Sequence, residues 1–95
     1  VREVQKRAYK YFLNNGEDQH NQVIEECSEV IKEITKKNRG KFNKEHLKEE
    51  LGDLMNAIES LIFLYGWDEE KFHKDRLEKI IKYEKKLKQE NKCVQ

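Results

Sequence analysis

Proline is absent from this sequence, and glycine occurs only four times in 95 residues. Without proline and with so few glycines, a chain rich in tight turns is excluded, and long helices with short connections are expected. Long alternating apolar/polar runs are missing too, which argues against half-buried strands. Apolar residues make up only 36% of the chain and the mean hydropathy is -1.09, so the core of a monomer would be thin. Charge of one sign is also missing. The formal net charge is +1, which gives no reason to expect a nucleic-acid polymer as partner. The two cysteines, Cys27 and Cys93, have no zinc-ligand spacing, and a reduced, cytoplasmic setting is expected. No apolar run is long enough to span a membrane, so no membrane partner is expected either.

What is present is charge, at 41% of residues, and a helical period. The expected fold is all-α, a four-helix bundle completed by oligomerisation. A single domain would fill residues 1–95, with its core at about 18–89. The first helix covers 2–14, with Val4, Ala8, Tyr11 and Phe12 near one face and Asn15-Gly16 as its stop. Asp18 or Asn21 caps the second, which runs to about Asn38 and carries Val23, Ile24, Cys27, Val30, Ile31 and Ile34 on one broad arc. Asn43 caps a third helix, 44–65, which Gly66 ends. Taking Leu47 as zero, Leu51, Leu54, Ile58 and Leu61 all fall within about 40° of it on this helix. Asp68 caps the fourth, which continues to about Gln89 with Phe72, Leu77, Ile80, Ile81 and Leu87 inward. The tail from Glu90 is expected to fray.

Two acidic clusters interrupt this pattern: Glu25-Glu26-Cys27-Ser28-Glu29 and Glu49-Glu50-Leu51-Gly52-Asp53. Glu26 and Glu29 are three apart, as are Glu50 and Asp53, so each pair stacks on one helix face with Cβ atoms roughly 5–6 Å apart. Four facing carboxylates repel unless a cation sits among them, and hard oxygen ligands suit Mg²⁺ or Mn²⁺. Glu50 lies about 60° from the centre of the leucine stripe, a costly place for an unpaired charge, and Asp53 about 120°. Glu26 and Glu29 lie about 100° and 160° from the middle of their own stripe, where periodicity alone reads them as solvated. They can face Glu50 only if helix two packs on two sides, as in an oligomer.

The sequence Ile24-Glu25-Glu26-Cys27-Ser28-Glu29, followed by His46-Leu47-Lys48-Glu49-Glu50-Leu51-Gly52-Asp53, resembles the EExxE…ExxD signature of the MazG-like all-α nucleoside triphosphate pyrophosphohydrolases. The wording is nearest to small stand-alone phage and Gram-positive forms, and the resemblance covers roughly residues 20–88. It implies a homodimer or homotetramer that cleaves a nucleoside triphosphate, NTP or dNTP, to a monophosphate and pyrophosphate. It also implies that Glu26, Glu29, Glu50 and Asp53 bind Mg²⁺, with Mn²⁺ as a substitute, and that Glu25 orients or deprotonates the attacking water. Lys32, Lys36, Arg39 and Lys41, with Lys37, are candidate phosphate clamps, although each alone also reads as a solvated helix end that complements the dipole. Some relatives have an aromatic residue four positions after the ExxD aspartate, near the base. This chain has Ala57 there, so base contacts must come from elsewhere; Asn56 and Ser60 are polar near the same turn, with Asn56 pointing away from the main apolar stripe. His20, His46 and His73 form no local metal pair and are expected in solvent. Trp67 reads as a packing anchor for its turn and Cys27 as core. The competing reading is a non-catalytic helical interaction module that retains the fold. A coiled-coil adaptor is weaker still, because sustained heptads are missing.

Overall fold

The computed structural model describes residues 3–14 and 18–94, with the side chains of 12–14 and 92–94 left aside. The architecture is all-α: α1 (Glu3–Asn14), α2 (Gln19–Asn38), α3 (Lys44–Tyr65) and α4 (Glu69–Val94), with no strand among the described residues. The expected stop at Asn15-Gly16 lies outside them, as do the side chains of Phe12 and Cys93.

The capping residues act as their chemistry requires. Asp18, rather than Asn21, caps α2 by accepting from the His20 backbone N–H at 2.9 Å. Asn43 Oδ1 accepts from the Glu45 and His46 N–H groups at 3.0 and 3.2 Å, so α3 begins where predicted. Gly66 closes α3 in the left-handed region at φ 67°, and Asp68 accepts from the Lys71 N–H at 3.1 Å to open α4. The fourth helix does not fray at Glu90. It continues to Val94, because no helix breaker follows Gly66 and pairs such as Lys88–Glu84 at 2.8 Å support the exposed turns.

Packing departs from the predicted stripes. The five-residue connection 39–43 folds α2 and α3 into a hairpin, which is the main packing unit, and α1 lies against α3. Within the hairpin the contact face is not the centre of either apolar arc. On α2 the buried residues are Gln19, Val30 and Glu33, while Ile24, Ile31 and Ile34 are 49–64% exposed. On α3, Ala57, Ser60 and Ile62 are buried, whereas Leu51, Met55 and Ile58 are exposed. Measured from Leu47, Ala57 sits about 80° round towards Glu50 and Asp53. The two helices thus meet along the acidic edges of their stripes. The inward face of α1 is likewise shifted. Tyr9 is buried against Phe63, their rings 5.6 Å apart, while Val4 and Tyr11 are exposed. Leu77, Ile80, Ile81 and Leu87 of α4, predicted inward, are 41–61% exposed because α4 has little of the chain beside it.

Candidate metal centre

The shifted hairpin contact brings the two acidic clusters together inside one chain. Carboxylate oxygens of Glu26, Glu50 and Asp53 all lie within 4.8 Å of one another. The expectation that helix two needs a second packing side to present Glu26 to Glu50 is therefore corrected. Glu26 stands on the same α2 face as the buried Val30, about 40° away, and that face meets α3. Glu29 is half-buried on this side, with Lys32 Nζ at 3.8 Å. Glu25 is exposed and stands outside the three-oxygen group.

The electrostatics follow from crowding. Partial burial, and then the charges of Asp53, Glu50, Glu25 and Glu29, hold the Glu26 carboxyl above its usual range. Glu50 is raised as well, first by desolvation, then by Glu29, Asp53, Glu33 and Glu49. Three converging acceptor oxygens with no cationic side chain in the group match the hard-ligand demand of a divalent cation.

Beside the acids lies a cavity of about 250 Å³. Glu26 and Asp53 form one side of it, and Tyr9, Gln19, Gln22, Asn56, Ala57 and Ser60 complete the lining. Its floor is polar and ordered. Ser60 Oγ donates to Oε1 of Gln19, which is 2% exposed. The Tyr9 hydroxyl donates to Glu59 Oε2 at 3.3 Å, and Gln5 Nε2 donates to the same oxygen at 2.8 Å. Burial, and next the Glu59 carboxylate, push the Tyr9 phenol up to about 12. Of these residues, besides the acids Glu26 and Asp53, sequence reasoning singled out only Asn56, Ala57 and Ser60. The available signal was a polar row on α2: Gln19, Gln22, Glu26 and Glu33 share one face.

The basic candidates scatter. Lys32 pairs with Glu29, Lys36 Nζ sits 2.7 Å from Glu33 Oε1, and Lys37 lies over the Phe42 ring. Arg39 and Lys41 are exposed in the connection after α2. His20, His46 and His73 are exposed, as expected, although His20 lies 2.7 Å from the Tyr65 hydroxyl. Trp67 stacks between Tyr65 and Phe72 yet remains 54% exposed, and Cys27 is half-buried rather than core.

A protein-family model, the MazG nucleotide pyrophosphohydrolase domain, matches residues 15–88. The chain belongs to this family. Neither the curated proteins nor the solved structures yielded a match. The matched span contains α2, α3 and most of α4, and so every acid of the centre. No helix among the described residues is long and apolar enough to cross a membrane.

Proposed function

We propose that this MazG-family chain hydrolyses a nucleoside triphosphate, NTP or dNTP, to a nucleoside monophosphate and pyrophosphate in a Mg²⁺-dependent reaction, with Mn²⁺ as a substitute. The observation that supports this reading best is the three-carboxylate group of Glu26, Glu50 and Asp53 at the side of the 250 Å³ cavity. The acids suit the phosphate end of the substrate through a bound cation, and the amide-lined cavity suits the nucleoside end. Glu29 joins the acids as a further ligand from the same face of α2.

A divalent cation held there would neutralise charge on the triphosphate as the bond breaks. The residues of the chain divide the remaining work. Glu26, Glu29, Glu50 and Asp53 fix the position of the phosphates relative to the cavity. Gln19, Gln22 and Asn56 supply amide donors and acceptors beside the nucleoside, in place of the aromatic residue absent at Ala57. Glu25, beside Glu26 and open to solvent, takes the proton of the attacking water. Lys32, Lys36, Arg39 and Lys41 lie along α2 and the connection after it, where charge-assisted contacts to outer phosphates can form. Water oxygen bonds to the α-phosphorus, the bond from that phosphorus to the bridging oxygen breaks, and pyrophosphate leaves.

The test is a panel of NTPs and dNTPs assayed with Mg²⁺ in ¹⁸O-labelled water. Equal amounts of monophosphate and pyrophosphate are expected, with the label in the monophosphate. Label in pyrophosphate would place attack at the β-phosphorus and reject this mechanism. Release of orthophosphate with a diphosphate would show a γ-phosphatase. Mg²⁺ binding without turnover of any nucleotide would leave the non-catalytic helical module.

A further inference from the structure

The α2–α3 hairpin is closed by the chain at one end only. The connection 39–43 joins the two helices there, and with 20 residues α2 carries its first turn about 30 Å away. The cavity lies towards that open end, since Gln19, Gln22, Asn56 and Ser60 line it. Three side chains tie the open end together. Asp18 Oδ1 accepts from the His20 backbone N–H at 2.9 Å and lies 3.0 Å from His20 Nδ1. His20 Nε2 lies 2.7 Å from the Tyr65 hydroxyl on α3. The Tyr65 ring is held in turn, stacked on Trp67 with centroids 4.7 Å apart and set edge-on to His20.

The chemistry of this row fixes its proton positions. An ionised carboxylate only accepts, and the bond from the His20 ring holds the Asp18 carboxyl below its usual range. Nδ1 is therefore the donor to Asp18. In the neutral ring Nε2 then carries a lone pair, and the Tyr65 O–H donates to it. Both bonds from residue 20 to Asp18 span Gln19, which stands between them in the chain. Gln19 is buried, and its Oε1 accepts from Ser60 Oγ. Adjacent residues of α2 thus grip α3 twice, His20 outside the cavity and Gln19 at its floor. The outer contact is open to water, with the Asp18 and His20 side chains half-exposed, so it adds little to global stability. Its effect is local, on where the first turn of α2 sits.

We propose that Asp18, His20 and Tyr65 form a positioning clamp that seats Gln19 in the cavity and so sets the affinity for the nucleoside end of the substrate, an inference whose second half rests on the nucleotide reading of that cavity. None of the three residues lines the cavity or belongs to the acidic group. Glu26 stands more than one turn along α2 from His20, so the phosphate end keeps its geometry when the clamp opens. The clamp therefore acts on KM and leaves kcat in place.

Tyr65→Phe is the test, because it deletes the hydroxyl and keeps the ring on Trp67. Nuclear magnetic resonance reads the clamp without any nucleotide. In the neutral wild-type ring the proton is expected on Nδ1 of His20. Tyr65→Phe should shift the Nε2 resonance and speed solvent exchange of the Gln19 side-chain amide about fivefold, with unchanged helical circular dichroism. A proton on Nε2 in the wild type, or unaltered Gln19 exchange in the variant, overturns the clamp. With Mg²⁺ and the nucleotide of the panel turned over fastest, KM of Tyr65→Phe should rise about fivefold while kcat holds. Adding Tyr65→Phe to Gln19→Ala should raise KM no further, since the clamp acts through Gln19. A fall in kcat at constant KM, or additive effects in the double variant, rejects the positioning role. Should Gln19→Ala fail to fold, Gln19→Met takes its place in the cycle. The expected resonances in a wild type that turns over no nucleotide keep the clamp and reject, with the nucleotide reading, its role in affinity.

Discussion

Glu50 shows how one residue couples the stability of the fold to the proposed chemistry. Its carboxyl is raised above 4.5 by desolvation and by its acidic neighbours, so the metal-free folded chain holds that proton more tightly than the unfolded chain does. The contribution is complete at low pH and is lost as pH rises through the raised folded value. Glu50→Gln keeps the shape and removes the charge. Its metal-free thermal midpoint is expected to match or exceed that of the wild type at neutral pH, whereas its Mg²⁺ affinity and turnover fall. Removing an outer partner of a metal ligand costs about 10–100-fold, so losing a direct ligand sets at least that loss as the expected magnitude. Wild-type activity of this variant at limiting Mg²⁺ would take Glu50 out of the site. Tyr9 gives an independent residue-scale check. Its phenol titrates at about 12 rather than 10.0, so its contribution to stability is whole below pH 10 and disappears as pH climbs through 12. Tyr9 should ionise late in an alkaline absorbance titration, and Tyr9→Phe should remove that late step. A late step that survives the substitution would assign the shift to another ring.

At the scale of the element, α3 is bounded by two local devices whose energies are separable from packing. Asn43→Ala removes acceptors for two first-turn N–H groups and is expected to cost about 1 kcal/mol. A Cβ added at Gly66 would meet open space, but the residue sits at φ 67°. Gly66→Ala is therefore penalised by backbone conformation rather than by a clash, again by about 1 kcal/mol. Chemical denaturation of each single variant and of the pair should show additive losses, since the two sites lie at opposite ends of the helix. These limits were legible in the sequence because capping is local chemistry. The helix faces were less so. Ile24, Ile31 and Val30 share one arc by period, yet only Val30 is buried, because α3 touches α2 along one edge of that arc. Periodicity finds the width of an apolar stripe and is silent on which part of it a neighbour covers.

The whole molecule is extended for its length. Its radius of gyration is 17.7 Å, against about 12 Å for a compact domain of this size. Its accessible surface of 8115 Å² exceeds the roughly 5800 Å² expected for a compact monomer of this mass. The difference, about 2300 Å², is comparable to what a stable interface removes from water. Ile24 and Ile31 of α2, Leu51 and Met55 of α3, and Leu77 and Ile80 of α4 supply apolar surface for such an interface. A homodimer or homotetramer is therefore expected, with α2 and α3 in the interface and α4 joining them. Light scattering at micromolar concentration checks this, and a fully active monomer would defeat it. Charged substitution at Met55, which is 62% exposed in the single chain, should dissociate the assembly without unfolding the α2–α3 hairpin.

Helix number, three of the helix starts and the acids of the motif could be read from the sequence alone, because each depends on neighbours within a few residues. The closeness of Glu26 to Glu50 and Asp53 could not, since it depends on how far the hairpin contact is rotated from the leucine stripe. That rotation is set by the best joint packing of Val30, Ala57, Ser60 and Gln19 across two helices. The same tertiary choice buried Glu33, which in the sequence is one glutamate among many in a Lys/Glu-rich helix. Only the packed hairpin distinguished it, by taking one of its oxygens out of water without giving it a donor among the described residues.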